Sequence, residues 1–223
     1  MNTVSYNRMQ CVPNHKNKTD MTEQTHEKLK AIKQSFRLMM NGVAARSMRD
    51  KGLDYKINWG VSLPDLQAMA REYEQDYELA IELWKEDIRE CKILATLLMP
   101  PAQMPREVVD IWMEQTHSQE MVEIAAFHLY QHLDYAPVIA YEWMASDDNL
   151  RQMAAYLILA RIFSRMKEPN DRGINEFLDQ VSVALQSDHA GLKHAAMNCV
   201  MRFSELGDEY ANMARKALCL DFL

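Results

Sequence analysis

"DIRECKILATLL" (Asp87–Leu98) and "NLRQMAAYLILA" (Asn149–Ala160) share an order of residue types: polar, aliphatic, arginine, acid or amide, then an apolar run. The apolar positions recur three and four residues apart, the period of an α-helix. A looser third copy, "GLKHAAMNCVMRF", covers Gly191–Phe203. Working outward, longer apolar helices are predicted to begin near Ile88, Gln119, Leu150 and Leu192, at separations of 31, 31 and 42 residues. A shorter helix precedes each. Helix pairs that repeat roughly every 30–45 residues are the mark of an α-solenoid. The predicted fold is therefore all-α: a right-handed α-solenoid of five or six HEAT-like helix pairs.

The helix after Asn149 shows why such units must stack. Leu150, Met153, Ala154, Leu157, Ile158, Ile162 and Met166 form one stripe, while Tyr156, Leu159 and Phe163 lie off it. A helix apolar nearly all round has to be covered on more than one side. Elsewhere, Glu27–Met48 reads as one helix carrying Leu29, Ile32, Phe36, Met39, Met40 and Val43. Ser62 is a predicted N-cap, with Pro64 in the first turn. Asp87 and Asn149 are expected to cap the helices that follow them. Pro100-Pro101 ends the helix begun near Ile88. Residues 1–19 are polar and without period, so a loose tail is expected there, followed by a single repeat domain over 20–223.

Composition narrows the function classes. With 6 Gly and 7 Pro in 223 residues, the chain has too few turn formers for an all-β protein. Its four cysteines stand apart, without a CxxC pair, which argues against a zinc ribbon and fits a reducing compartment. The longest uncharged run, Ile93–Pro105, is too short and too Pro-rich to span a bilayer. A soluble cytoplasmic protein without membrane contact is expected. His128 and His132 stand four apart, but no third ligand follows at a suitable spacing, so neither a metal nor a cofactor is expected.

Charge is unevenly spread. Residues 1–56 hold 11 Lys/Arg against 5 Asp/Glu, and the remainder holds 14 against 27. Arg46, Arg49, Lys51 and Lys56 cluster in the basic quarter and are candidate contacts to a DNA backbone. The acidic body suits a protein partner equally well. Convergence of cations on one surface would favour nucleic acid. Arg151, just inside its helix, is expected to pair with Asp147, Asp148 or a neighbouring repeat.

Three stretches carry a resemblance: "GVSLPDLQAMAREY" (Gly60–Tyr73), "ELAIELWKEDIRECKILATLLM" (Glu78–Met99) and "EWMASDDNLRQMAAYLI" (Glu142–Ile158). In this order and spacing they resemble the DNA alkylation repair family, the HEAT-like-repeat alkylpurine DNA glycosylases, from about residue 45 to about 205. The resemblance implies a solenoid that wraps duplex DNA and removes cationic alkylated purines without taking the base into a deep pocket. It also implies a carboxylate beside the sugar that stabilises the oxocarbenium charge. The family's Trp-Trp-Asp-x-Val-Asp stretch falls on "SQEMVE" (Ser118–Glu123). Gln119 then stands where a tryptophan meets the sugar, and Glu123 where the catalytic aspartate lies. The family's groove arginine falls on Met153 and its later tryptophan on or beside Cys199. By resemblance, Gln119, Met153 and Cys199 line the substrate groove and Glu123 is the candidate catalytic residue. Three changes of residue type leave two functions open: a DNA-repair glycosylase, or a non-catalytic scaffold for nucleic acid or a protein partner.

Overall fold

The polar cap residues and apolar periods become a stack of short helices in a computed structural model that describes residues 16–220. Two helices begin the described residues, α1 (Lys16–Phe36) and α2 (Gly42–Asp50), followed by α3 (Leu63–Ala70), α4 (Tyr77–Lys85) and α5 (Arg89–Leu98). Then come α6 (Arg106–Glu114), α7 (Gln119–His128), α8 (Ala136–Met144) and α9 (Asn149–Phe163). The stack ends with α10 (Asp171–Ala184), α11 (Ala190–Ser204) and α12 (Asp208–Leu218). Among the described residues there is no strand, only an isolated bridge between Ile57 and Ile88. The inner row of the solenoid runs α5, α7, α9, α11, each packed on the next, with α3 lying over α5. The intervening helices form the outer row.

From α4 to α8 every helix has nine or ten residues. Isolated helices shorter than about 12–15 residues are marginal in water, so packing must hold these. The repeat supplies that packing in register. Four hydrogen-bonded pairs join residues 31 apart: Trp59 to Glu90, Trp84 to Gln115, Arg89 to Glu120 and Tyr135 to Met104. Trp84 also stacks face to face on Trp112, with ring centroids 4.1 Å apart, joining α4 to α6 in the outer row. Phe163, Phe177 and Phe203 meet edge to face or tilted where α9, α10 and α11 converge. Helix α9 buries residues on all sides, including Tyr156, Leu159 and Phe163 that lie off its main stripe.

Several boundaries differ from expectation. Residues 1–15 of the expected tail lie outside the described residues, and Lys16–Thr19 form the first turn of α1. The single helix expected over Glu27–Met48 breaks after Phe36. Asn41 caps a new helix there, its side chain accepting from the Ala44 N–H at 3.0 Å. Met40 and Val43 are consequently exposed rather than core. Asp87 does not cap α5. The first N–H of that helix donates instead to the Ile57 carbonyl, 3.1 Å away, so backbone replaces the side-chain cap. The cap of α9 is Asp148, which accepts from the Leu150 N–H at 2.8 Å, and Asn149 is the first helical residue. Met166 lies beyond the helix in a left-handed conformation, exposed. Ser62 caps α3 as expected, accepting from Asp65, with Pro64 in the first turn.

Gly60 has a physical requirement that the repeat pattern does not reveal. Its φ is +71°, and a Cβ there would lie 2.2 Å from the Asn41 carbonyl oxygen and 2.7 Å from the Ala45 nitrogen. The loop before α3 therefore presses backbone to backbone on the first turn of α2. Gly60→Ala is expected to cost about 2–3 kcal/mol in urea unfolding, through both strain and contact. Gly42→Ala, where a Cβ meets open space, should leave the midpoint nearly unchanged.

Candidate nucleic-acid interface

The first turns of the inner helices are gathered along one rim by a buried ionic knot. Arg89 opens α5 and is 2% exposed. Its Nε and Nη2 donate to both carboxylate oxygens of Glu120, at 2.9 and 2.7 Å, in a two-pronged pair. Its Nη1 donates to the Val61 carbonyl at 3.0 Å and to Glu90 at 3.3 Å. Glu90, fully buried, accepts from the backbone N–H groups of Trp59 and Val61. Burial works against the Arg89 charge, but Glu120 and Glu90 more than offset it and hold the guanidinium above its ordinary pKa. One arginine thus ties the 57–61 loop, α5 and α7 together.

The same loop places a basic segment at the rim. The Tyr55 hydroxyl lies 3.2 Å from the Ser118 hydroxyl at the start of α7, and Ile57 pairs with Asp87 and Arg89. Lys56, held between those anchors, is exposed. Arg46 and Arg49, on one face of α2, and Lys51 are exposed too, and none of the four forms an ion pair among the described residues.

Arg89, Glu120 and Arg151 stand 31 residues apart, at equivalent places in successive inner helices, and Lys193 follows in the first turn of α11. Arg151 reaches Asp148 only at 3.9 Å and remains partly exposed. Lys193 is exposed. Helix α9 carries Arg151 and Arg161, and α11 carries Lys193 and Arg202. Neither helix contains an Asp or Glu. The acids concentrate on outer helices such as α6, with Glu107, Asp110 and Glu114, and α10, with Asp171, Glu176 and Asp179. Within α9 and α11 themselves there is thus no acid, while exposed Asp147, Asp148 and Asp188 stand immediately before their first turns.

The residues singled out by resemblance separate into two groups. Gln119 and Glu123 are exposed on α7 and hydrogen-bonded to each other at 2.8 Å. The start of α11 is close by: a Cβ at Gly191 would lie 2.5 Å from the Gln119 side-chain oxygen. Met153 and Cys199, by contrast, do not line a groove. They are 1% and 0% exposed, part of the core between stacked helices. Both lie where α9 and α11 pack on their neighbours, and burial of an apolar side chain there is favourable. Burial also pushes the Cys199 thiol well above its ordinary range.

Farther along the inner face lies a pocket of about 370 Å³ between α3, α7 and α9. Leu63, Ile124 and Leu157 form apolar parts of its wall, joined by Gln67, Glu123, Phe127, His128 and Arg161. Phe127 is 45% exposed, and the Arg161 guanidinium lies 4.6 Å from its ring centroid. Sequence reasoning missed this pair, which comes from two helices 34 residues apart. The Arg89–Glu120 knot was also missed, although its signal, opposite charges at the repeat spacing, is present in the chain. Burial, with His132 nearby, holds His128 below its ordinary pKa. Among the described residues, no three His, Cys, Asp or Glu side chains cluster to hold a metal, and no helix is long and apolar enough to cross a membrane.

A stack of HEAT-like helix pairs defines the class of fold, an α-solenoid. The chain matches the family described as DNA alkylation repair enzyme over residues 32–218, and it belongs to that family. Its fold is similar to a solved structure described as "a new family of proteins related to the HEAT-like repeat DNA glycosylases with affinity for branched DNA structures". The TM-score is 0.74 at 17% identity, over 85% of this chain and 83% of the other. The curated proteins include no detectable relative.

Two outcomes test this geometry. Arg89→Ala, which strands the buried Glu90 carboxylate, is expected to cost about 3–5 kcal/mol in urea unfolding. Glu120→Gln should cost less, because that carboxylate retains access to water. Thiol labelling of the folded protein followed by peptide mapping should modify the exposed Cys219 and spare Cys91 and Cys199. Burial pushes the Cys91 thiol up to about 12, and only the thiolate reacts readily.

Proposed function

We propose that the chain binds duplex DNA along the inner face of its solenoid, chiefly through phosphates and without reading sequence. The observation that carries this is the charge segregation: α9 and α11 present cations and no acid, while the outer helices hold the acids. Arg151 and Lys193, at the first turns of these helices, are the proposed phosphate contacts, with Arg46, Arg49, Lys51 and Lys56 extending the track. The relative said to have affinity for branched DNA supports a nucleic-acid role.

Excision of cationic alkylated purines is a second reading, favoured by one observation. Glu123 keeps an exposed carboxylate at the position where the family places its aspartate, steadied by Gln119. A carboxylate beside the deoxyribose stabilises the positive charge that develops as the glycosidic bond breaks. Met153 and Cys199, being buried, offer such a reaction no support.

Titration of a fluorescent duplex at several salt concentrations tests the first reading. Log affinity should fall linearly with log salt, and Arg151→Glu with Lys193→Glu should lower the slope by about two and the affinity by about tenfold or more. Absence of binding at low ionic strength sinks it. Release of methylated purine from alkylated duplex tests the second: release by the wild type that disappears in Glu123→Gln supports it, and an inactive wild type removes it.

A further inference from the structure

We infer that the pocket between α3, α7 and α9 receives a single unpaired nucleobase, so that the protein prefers DNA with a displaced nucleotide over a continuous duplex. This rests on the DNA-binding reading and adds a ligand class to it. Four observations converge. First, the pocket has apolar walls from Leu63, Ile124 and Leu157, and a size of about 370 Å³ at the small end of ligand pockets. Second, it holds a platform. The Arg161 guanidinium lies over the half-exposed Phe127 ring at 4.6 Å, and Arg161 forms no ion pair among the described residues. Flat cationic and aromatic surfaces are what unstacked bases settle on, because every base has a π face.

Third, the polar atoms are oriented. The Gln67 amide nitrogen lies 3.2 Å from the His128 Nε2. The amide and the imidazole hold one another in place, so each offers a polar edge to the pocket. Fourth, Glu123 receives Gln119 on Oε1 at 2.8 Å, leaving Oε2 as an acceptor. A carboxylate acceptor beside a stacking platform selects a base that donates from its edge. Adenine, cytosine and guanine do so through exocyclic amino groups. Thymine lacks one. A phosphate or an acidic peptide would instead meet the Glu123 carboxylate and two apolar walls, which disfavour both.

The test compares three duplexes of equal length: fully matched, with one unpaired adenosine, and with an abasic residue at the same bulge. The abasic form keeps the bend and the extra phosphate and removes only the base. Wild-type protein should bind the adenosine bulge about tenfold more tightly than the abasic one, the effect of one stacked base. Phe127→Leu and Arg161→Lys should bring that ratio close to one, with matched-duplex affinity unchanged within twofold. The lysine keeps the charge but not the plane. A thymidine bulge should bind more weakly than the adenosine bulge. Equal binding of base-bearing and abasic bulges by the wild type overturns the inference, as does a ratio that survives both substitutions. A uniform loss on all three DNAs in Arg161→Lys also overturns it, by making Arg161 a phosphate contact. Failure of the duplex reading is seen separately, as absence of matched-duplex binding.

Discussion

The two-pronged pair between Arg89 and Glu120 is the constraint on which the N-terminal half depends. It connects equivalent positions in neighbouring repeats, 31 residues apart, and its third prong holds the loop that leads into α3. Glu90 completes the knot by accepting two backbone N–H groups that no helix or strand would otherwise satisfy. A buried charge is tolerable only when it is paired and its hydrogen-bonding capacity is filled. Here one arginine and two glutamates meet that demand together. The consequence is positional: the first turns of α5 and α7, the 57–61 loop and Lys56 share one rim.

From that rim the charge pattern becomes intelligible. The inner helices are largely buried, so few of their side chains reach solvent, and those few decide what the face can bind. On α9 and α11 they are basic or neutral. A chain with a net charge of −7 can still present a local positive surface, since fields at contact distance depend on nearby groups more than on the total. On α7 the open positions are Gln119, Glu123 and Phe127, which combine hydrogen bonding, a negative charge and an aromatic edge. The family fold therefore carries a surface chemistry of its own, with a recessed pocket between α3, α7 and α9.

Much of the fold was legible. Starts expected near Ile88, Gln119, Leu150 and Leu192 are observed at Arg89, Gln119, Asn149 and Ala190, because apolar period and polar caps act locally. The misses have local causes that a pattern does not weigh. One helix broke after Phe36 although the apolar period continued, and Asn41 capped a new one. A backbone carbonyl replaced the cap expected from Asp87. The site was harder to read. Gln119 and Glu123 do face outward, but Met153 and Cys199 were placed in a groove by position alone, and their apolar character sent them into the core. Phe127 and Arg161 carried no motif and became neighbours only through packing.

Sequence by itself determined the helical repeat, its spacing of 31 residues, and the separation of a basic first quarter from an acidic remainder. These follow from residue types at short range, where hydrophobic period and capping chemistry operate. Tertiary structure alone decided which charges meet and which remain open. Whether Arg89 ends in a buried knot while Arg151, its counterpart two repeats later, stays partly exposed depends on the neighbour each finds across the stack. Arg89 meets Glu120 and the Val61 carbonyl, whereas Arg151 reaches only a distant Asp148.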